Sequence, residues 1–237
     1  MVKDFNPELY IKLCEERERI GLPFDKRCYD LSQLCIAEPH LCDYLLSTMR
    51  AYIKTKAEKK EIERKFVVDI DNVPNIYKRV FDSVYQGYIK DFGENYQYRL
   101  RTVTSIDFDK KTMERKYFQT IKGAGDKIRD EYEIEITKSQ FDELWKLCED
   151  CAIHKYRYDV AVDKINKGHV DEYINEYIDA LNEVYSKEKL SIIEVNFDSE
   201  NECDAFVPPP WFGEEVTEKK EYGNFYMALH GLPKKTT

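Results

Sequence analysis

Charged side chains recur at every second position in several separate stretches of this chain, and this pattern limits the available folds more than any other feature. The first stretch contains Glu61, Glu63 and Lys65 at positions i, i+2 and i+4. In an extended strand these three side chains share one face, and Ile62 and Phe66 lie on the opposite face. The pattern predicts a half-buried strand with one charged side and one largely apolar side.

The same alternation returns in later stretches that are separated by turn-forming residues, so these stretches are also predicted to be strands. Their charged or polar faces carry Arg99 and Arg101; Lys116, Thr120 and Lys122; Arg129, Glu131, Glu133 and Glu135; Lys155, Arg157, Asp159 and Asp163; and Glu194, Asn196 and Asp198. Some of these faces are mainly basic and others are mainly acidic. The chain is therefore predicted to form a sheet with mixed charge along one side.

Such strands can be assembled in two ways. Their apolar faces can meet in a core while the charges point to solvent. Alternatively, the sheet closes into a barrel with the charges in its lumen, and helices cover the apolar outside. Apolar positions at helical spacing predict helices at 41–53, 139–150 and 169–187, which are sufficient for that cover. The alternation alone leaves both arrangements open.

A charged lumen has a chemical consequence, because closely packed charges in a water-poor tunnel are unfavourable unless they are compensated. Lysine and arginine bind phosphate oxygens, and carboxylates hold a hard metal ion. A triphosphate chain with Mg²⁺ or Mn²⁺ has the length and charge that such a lumen requires.

The formal net charge of −9 argues against a duplex nucleic acid as partner, because such binding requires a basic surface. The segment 96–135 is nearly neutral, with nine Lys or Arg and eight Asp or Glu, so basic residues are concentrated where strands are predicted. No segment has the apolar length of a membrane span, and the amino terminus lacks the apolar run of a signal peptide. A cytoplasmic protein without a membrane partner is expected.

Residues 1–57 are predicted to form an amino-terminal helical extension that ends with the helix at 41–53. A unit of this size has a marginal core of its own, so it is expected to cover the barrel, with a partner or homodimer surface as the alternative. The seven cysteines are irregularly spaced and are expected to be reduced. Cys148 and Cys151 are expected to be buried side chains rather than zinc ligands.

An ordered set of short motifs resembles the CYTH domain, the triphosphate tunnel metalloenzyme superfamily. The resemblance covers residues 58–233 in collinear order. Its motifs are Glu61-x-Glu63-x-Lys65, Gln86-Gly87-Tyr88, Arg99-x-Arg101, Thr120-Ile121-Lys122-Gly123, Arg129-x-Glu131-x-Glu133, Lys155-x-Arg157, Ile192-Ile193-Glu194-Val195 and Pro210-Trp211-Phe212-Gly213. It implies an α+β fold: an eight-stranded antiparallel β-barrel, or tunnel, with a charged lumen, covered by helices and preceded by the helical extension.

The resemblance also implies an activity and the residues that carry it. It implies an enzyme that uses Mg²⁺ or Mn²⁺ to hydrolyse the terminal phosphate of inorganic triphosphate, or of a nucleoside or thiamine triphosphate. Catalytic roles fall on Glu61, Glu63 and Lys65. Triphosphate binding falls on Lys65, Arg99, Arg101, Lys122, Arg129, Lys155 and Arg157, and metal binding on Glu61, Glu63, Glu133 and Glu194.

Two departures from the family pattern keep alternatives open. Asn196 stands where the family usually has a second acid, and the predicted helix 169–187 replaces the usual strand of the form aromatic-hydrophobic-Asp-hydrophobic-Phe. Asp159 and Asp163 are the alternatives for the lost carboxylate. The number of metal ions at the site, one or two, is left open by Asn196. Class IV adenylate cyclase chemistry and a non-catalytic module that binds polyphosphate or nucleotide are the alternative functions.

Overall fold

The computed structural model describes residue 48 and residues 60–89, 97–123, 127–148, 151–163, 166–174, 176–178, 184–186 and 190–233. The predicted extension at 1–57 lies outside these ranges apart from Thr48, which belongs to a helix and is buried. From residue 60 onward, the described residues form ten β-strands, three α-helices and two short 3₁₀ helices. None of the helices in this part of the chain has the length and apolar character needed to cross a membrane.

Eight of the strands close into one antiparallel barrel. They are β1 (Lys60–Val67), β2 (Val80–Tyr88), β3 (Gln97–Asp107), β4 (Thr112–Lys122), β5 (Ile128–Ile136), β6 (Ala152–Ala161), β7 (Lys167–Ile174) and β10 (Leu190–Asn196). Their order around the barrel is β1-β10-β7-β6-β2-β3-β4-β5. The other two, β8 (Glu176–Ile178) and β9 (Val184–Ser186), pair as a short hairpin. The predicted eight-stranded tunnel is confirmed.

The barrel has its charged side chains inside and its apolar side chains outside. Along β3, Arg99 and Arg101 point into the lumen, whereas Tyr98 and Leu100 point outward and are fully buried beneath other parts of the chain. Alternation along a strand places neighbouring residues on opposite faces, so the two parities of β3 meet two different environments. Of the two assemblies that the sequence allowed, the structure has the barrel with the charged lumen.

Helix α1 (Lys138–Trp145) covers the outer face of β3 and β4. Thr137 and Gln140 form a capping box at its start, because each side chain hydrogen-bonds to the backbone of the other residue. The sequence predicted a start at 139 and an end at 150, so the position of this helix was predicted but its bounds were not. Phe141 is buried and lies 5.2 Å from the ring of Tyr117 in β4, centroid to centroid.

Two further helices lie near β1 and β6. Helix α2 (Glu200–Ala205) contacts β1, where the ring of Phe66 lies 4.9 Å from that of Phe212 and 6.2 Å from that of Phe206. Helix α3 (Asn224–His230) contacts β2 and β6. The aromatic contacts of Phe66 bury the apolar outer face of β1, whereas Met227 of α3 is buried in a cluster with Tyr173 and Ile192.

The helix predicted at 169–187 is wrong, because this interval begins within strand β7 and continues into the β8–β9 hairpin. Val170 points outward into the hydrophobic core, and Tyr173 points inward, where its hydroxyl donates to Asn224 Oδ1 at 2.7 Å. Both side chains are buried, at 0% and 3% exposure. A strand that is buried on both faces has no polar alternation, and its apolar residues then resemble a helical stripe.

Gly168 in β7 lies where the backbone of β10 passes close by. A Cβ atom added at this residue would lie 2.6 Å from the carbonyl oxygen of Glu194. We expect Gly168→Ala to force β7 away from β10 and to lower the free energy of unfolding by about 1–3 kcal/mol, as overpacking commonly does. Urea unfolding followed by circular dichroism measures the change. Lys167→Ala, at the exposed neighbouring position, is the control, and equal stability of the two variants would contradict the prediction.

The cysteines in the described part of the chain behave as buried apolar side chains. Cys148, Cys151 and Cys203 are all free thiols and are buried. Burial raises the pKa of the Cys148 thiol, which disfavours the thiolate that a metal site requires. The prediction of buried side chains is confirmed for Cys148 and Cys151; the four cysteines other than Cys148, Cys151 and Cys203 lie outside the described residues.

Candidate functional site

The inward faces of the barrel strands surround a cavity of about 430 Å³. Strand β1 contributes three side chains to it in a row, Glu61, Glu63 and Lys65, and β3 contributes Arg99 and Arg101. The other predicted site residues in the lining are Lys122, Arg129, Glu133, Arg157 and Glu194. Every residue that the sequence predicted for the site, with the exception of Lys155, therefore lines this one cavity.

The lining is basic although the chain is acidic. Eight Lys or Arg and five Glu line the cavity, which gives an excess of three positive charges, compared with −9 for the whole chain. The sequence analysis gave no role to three of these residues, Glu131, Lys219 and Lys220. Low-dielectric walls focus the field of an excess charge, so this cavity attracts a ligand with several negative charges.

Basic residues of β4 and β5 hold the two acids of β1. Lys122 Nζ and Arg129 Nε each lie 2.8 Å from Glu61 Oε2. Arg129 Nη2 also donates to Glu63 Oε1 at 2.8 Å. These are charge-assisted hydrogen bonds in a largely buried site, and they fix the direction of both carboxylates.

Lys65 joins β1 to β10. Its Nζ lies 3.0 Å from Glu63 Oε1 and 3.0 Å from Glu194 Oε1. Although burial disfavours the charged ammonium, Glu194 and Glu63 raise the pKa of Lys65. One ammonium thus holds two carboxylates from neighbouring strands close together.

Arg99 and Arg101 share the carboxylate of Glu133 on the opposite side of the cavity. Arg99 Nη2 donates to Glu133 Oε2 at 2.9 Å, and Arg101 Nη2 donates to Glu133 Oε1 at 2.7 Å. The hydroxyl of Thr120 donates to Oε2 at 2.7 Å. The Nε atoms of both arginines are buried and have no hydrogen-bond partner among the described residues. Such unused donors favour a bound anion.

The sequence analysis missed two residues of β7 that point to the barrel interior: His169, which lines the cavity, and Asp171, which lies behind the cavity wall. Asp171 is fully buried and accepts two hydrogen bonds from Arg157, from Nε at 2.7 Å and from Nη2 at 2.8 Å. The ammonium of Lys155 binds the same carboxylate. His169 Nε2 lies 2.7 Å from Glu194 Oε2. They were missed because the incorrect helix at this position hid the alternation of β7.

Neither Asp159 nor Asp163, the two predicted alternatives for the lost carboxylate, lines the cavity. Asp159 is exposed and lines two neighbouring pockets rather than this cavity. Asp163 accepts hydrogen bonds from Asn166 in the turn before β7. Asp171 instead lies in the strand next to β10, between the apolar Val170 and the aromatic Tyr173, which is the sequence signal that could have identified it.

Lys155 lies behind the cavity wall rather than in the lining. Its side chain is 1% exposed, and its Nζ binds Asp171 and lies 3.4 Å from Asn224 Oδ1. It also lies 5.5 Å from the centre of the Tyr173 ring. Of the residues predicted to bind the ligand, Lys155 alone is absent from the cavity lining; it contacts Asp171, which also binds Arg157.

Three bases in and behind the lining carry charge that their neighbours do not fully compensate. Burial and Arg99 lower the pKa of Arg101 to about 10. Burial and two arginines, Arg129 and Arg99, lower the pKa of Lys122. Burial lowers the pKa of Lys155 to about 8 in spite of its ion pair. A lowered pKa of a base means that the environment disfavours its positive charge, and a nearby anion reverses this effect.

The surroundings of Glu194 and Asp171 favour the ionised carboxylate that metal binding requires. Burial raises the pKa of Glu194, but Lys65 and His169 outweigh burial and hold this pKa well below its usual range. In the same way, Arg157 and Lys155 outweigh burial and lower the pKa of Asp171 to about 2. Ionised carboxylates that face a cavity suit a hard divalent cation.

Helix α3 and the residues before it close one end of the cavity. Tyr222, Asn224, Phe225 and Tyr226 belong to the lining there. The ring of Phe225 lies 5.4 Å from that of Tyr88 in β2. The barrel is therefore closed at this end, and this limits the length of a ligand that enters from the other end.

Two inorganic triphosphatases are similar to this chain. One, from Nitrosomonas europaea, is 35% identical over 175 residues, which cover 71% of this chain and 97% of that protein. The other, from Acetivibrio thermocellus, is 33% identical over 167 residues, covering 70% and 90%. A solved crystal structure of an inorganic triphosphatase is 32% identical, covers 73% of this chain and 97% of that chain, and aligns with a TM-score of 0.47. No protein-family model matches the chain.

Proposed function

The chain belongs to the same family as these inorganic triphosphatases, the CYTH or triphosphate tunnel metalloenzyme superfamily, and on this premise we propose that it hydrolyses the terminal phosphate of inorganic triphosphate. The observation that carries the proposal is the cavity: a closed barrel with eight Lys or Arg and five Glu in its lining, in an acidic chain. The closed end at α3 favours a short polyanion without a bulky organic group.

A divalent cation, Mg²⁺ or Mn²⁺, is the proposed cofactor, held by acids among Glu61, Glu63, Glu133 and Glu194. These carboxylates face one cavity and are oxygen donors, which fits such a cation. Each is bound to lysine or arginine in the structure, and these basic groups would free carboxylate oxygens for the cation by turning to phosphate. The bound cation would supply positive charge to the phosphoryl oxygens.

We propose that some side chains in and behind the lining bind phosphate, some form the catalytic group, and Lys155 holds other side chains in place. Arg101 and Lys122, whose charges are not fully compensated, bind phosphate oxygens together with Arg99, Arg129 and Arg157. Lys65, with Glu61 and Glu63, forms the catalytic group of β1. These residues neutralise the charge that develops on the transferred phosphoryl group while a water attacks in line. Lys155 acts by holding Asp171 and Arg157 in place.

Three substrates test the proposal. The purified full chain is incubated with tripolyphosphate, ATP or thiamine triphosphate, with Mg²⁺ or Mn²⁺ and with a chelator as control. We expect phosphate release to be fastest from tripolyphosphate, because a cavity that is closed at one end suits the shortest ligand. We also expect the chelator to abolish phosphate release. Phosphate release and cyclic AMP are both measured, together with binding by calorimetry.

Each contrary outcome points to a specific alternative. Formation of cyclic AMP from ATP would replace the proposal by class IV adenylate cyclase chemistry. Tight binding of tripolyphosphate without any turnover would support the non-catalytic binding module. Faster release from ATP or thiamine triphosphate would keep the hydrolase but overturn the choice of substrate.

A further inference from the structure

His169 and Glu194 lie directly opposite each other on neighbouring strands, β7 and β10. His169 Nε2 is 2.7 Å from Glu194 Oε2. Asp171 follows two residues along β7, so its side chain is on the same face of the strand. One ligand atom from each of the three residues lies within 4.8 Å of the other two. An imidazole nitrogen and two carboxylates thus converge at the wall of the cavity.

We propose that His169 is a nitrogen ligand of the divalent cation, together with Glu194 and with Asp171 as the third donor. This inference rests on the proposed metal dependence but goes beyond it, because it names a ligand outside the four predicted glutamates and a class of metal. Imidazole suits Mn²⁺, Co²⁺ and Zn²⁺ better than Mg²⁺ or Ca²⁺, which prefer oxygen alone. The site should therefore select Mn²⁺ over Mg²⁺.

The neighbouring charges explain how the cation can enter. Arg157 binds both carboxylates of the trio: its Nη2 donates to Asp171 Oδ2 at 2.8 Å and to Glu194 Oε2 at 3.1 Å. A phosphate that draws this one guanidinium away frees oxygen atoms on two of the three ligands at once. Because Arg157 lines the cavity, phosphate binding and metal binding at His169 are expected to strengthen each other.

His169 is also well placed to compensate for the departure at Asn196. Asn196 and His169 line the same cavity. Asn196 lies two residues beyond Glu194, on the same face of β10, and His169 pairs with Glu194 across the strands. An amide at 196 is a weaker donor to a cation than a carboxylate. A neutral imidazole on the adjoining strand restores a strong donor without adding another negative charge to the site.

Pulsed electron paramagnetic resonance of bound Mn²⁺ tests this ligand directly, because a coordinated imidazole gives a ¹⁴N modulation that carboxylates and water do not give. The full chain is loaded with Mn²⁺ alone and with Mn²⁺ plus tripolyphosphate, and it is then frozen. We expect ¹⁴N coupling in the wild type, its loss in His169→Gln, and at least about a tenfold weaker Mn²⁺ affinity in that variant. His154→Gln is the matched control, because His154 lies on the outer face of β6 and hydrogen-bonds to Ser83.

A second variant separates loss of the ligand from loss of the fold. His169→Glu supplies oxygen in place of nitrogen, so it is expected to bind a cation without ¹⁴N coupling and with its preference moved towards Mg²⁺. Coupling that survives in His169→Gln, or Mn²⁺ binding without coupling in the wild type, would overturn the assignment. Absence of Mn²⁺ binding would overturn it as well. Phosphate release is measured separately, so an intact ¹⁴N signal without hydrolysis would count against the proposed function alone.

Discussion

Replacing Arg101 by alanine is expected to slow phosphate release from inorganic triphosphate at least about a hundredfold, a loss typical of removing one preorganised group that stabilises developing charge. Among the arginines that line the cavity in the described part of the chain, only Arg101 has a lowered pKa, about 10, caused by burial and by Arg99. Its buried Nε also has no hydrogen-bond partner within the described residues. An anion is the partner that this guanidinium lacks. Steady-state phosphate release measures the effect.

The fold should survive this substitution. Glu133 keeps its hydrogen bonds from Arg99 and Thr120, and the change removes a buried cation whose charge is incompletely compensated. Arg115→Ala is the matched control, since Arg115 is exposed on the outer face of β4 and donates from Nε to Thr104 Oγ1 at 2.8 Å. If both variants turned over at wild-type rates with unchanged circular dichroism, Arg101 would have no part in the mechanism.

That the charged residues of one strand share a face was predictable from sequence, because it depends only on local alternation. Glu61, Glu63 and Lys65 share a face in any extended strand, whatever the rest of the chain does. The pairing of these charges was not predictable in the same way. Glu61 lies opposite Arg129 because β1 pairs with β5 in one register, and this closure joins residues far apart in the chain.

The missed part of the site has a physical reason as well. Along β7 the outward Val170 enters the core and the inward Tyr173 packs at the closed end of the cavity, so both parities are apolar or aromatic. The inward positions of His169 and Asp171 are then not recognisable from the sequence, because apolar residues surround them on both faces of the strand. Asp171 is stable there only because Arg157 and Lys155 neutralise it, and these partners come from the neighbouring strand. Sequence periodicity does not record such a pairing.

Glu63→Gln is the second substitution with a large expected effect, at least about a hundredfold on phosphate release. Glu63 is 3% exposed, and its Oε1 binds two cations, Lys65 at 3.0 Å and Arg129 at 2.8 Å. Glutamine keeps the shape but removes the charge, so both the proposed metal site and the position of Lys65 are weakened. Phosphate release is measured over a range of Mg²⁺ and Mn²⁺ concentrations, with thermal unfolding followed in parallel.

The metal dependence of the loss distinguishes the role of Glu63 from that of Arg101. If Glu63 holds the cation, higher Mn²⁺ concentration should recover part of the activity of Glu63→Gln, whereas the loss in Arg101→Ala should be insensitive to metal. Folding should persist, because Lys65 keeps Glu194 and Arg129 keeps Glu61 as partners. Glu135→Gln, at an exposed position of β5, controls for the loss of one negative charge. Near-normal turnover of Glu63→Gln would remove Glu63 from both roles and would leave phosphate binding by the basic residues as the main source of catalysis.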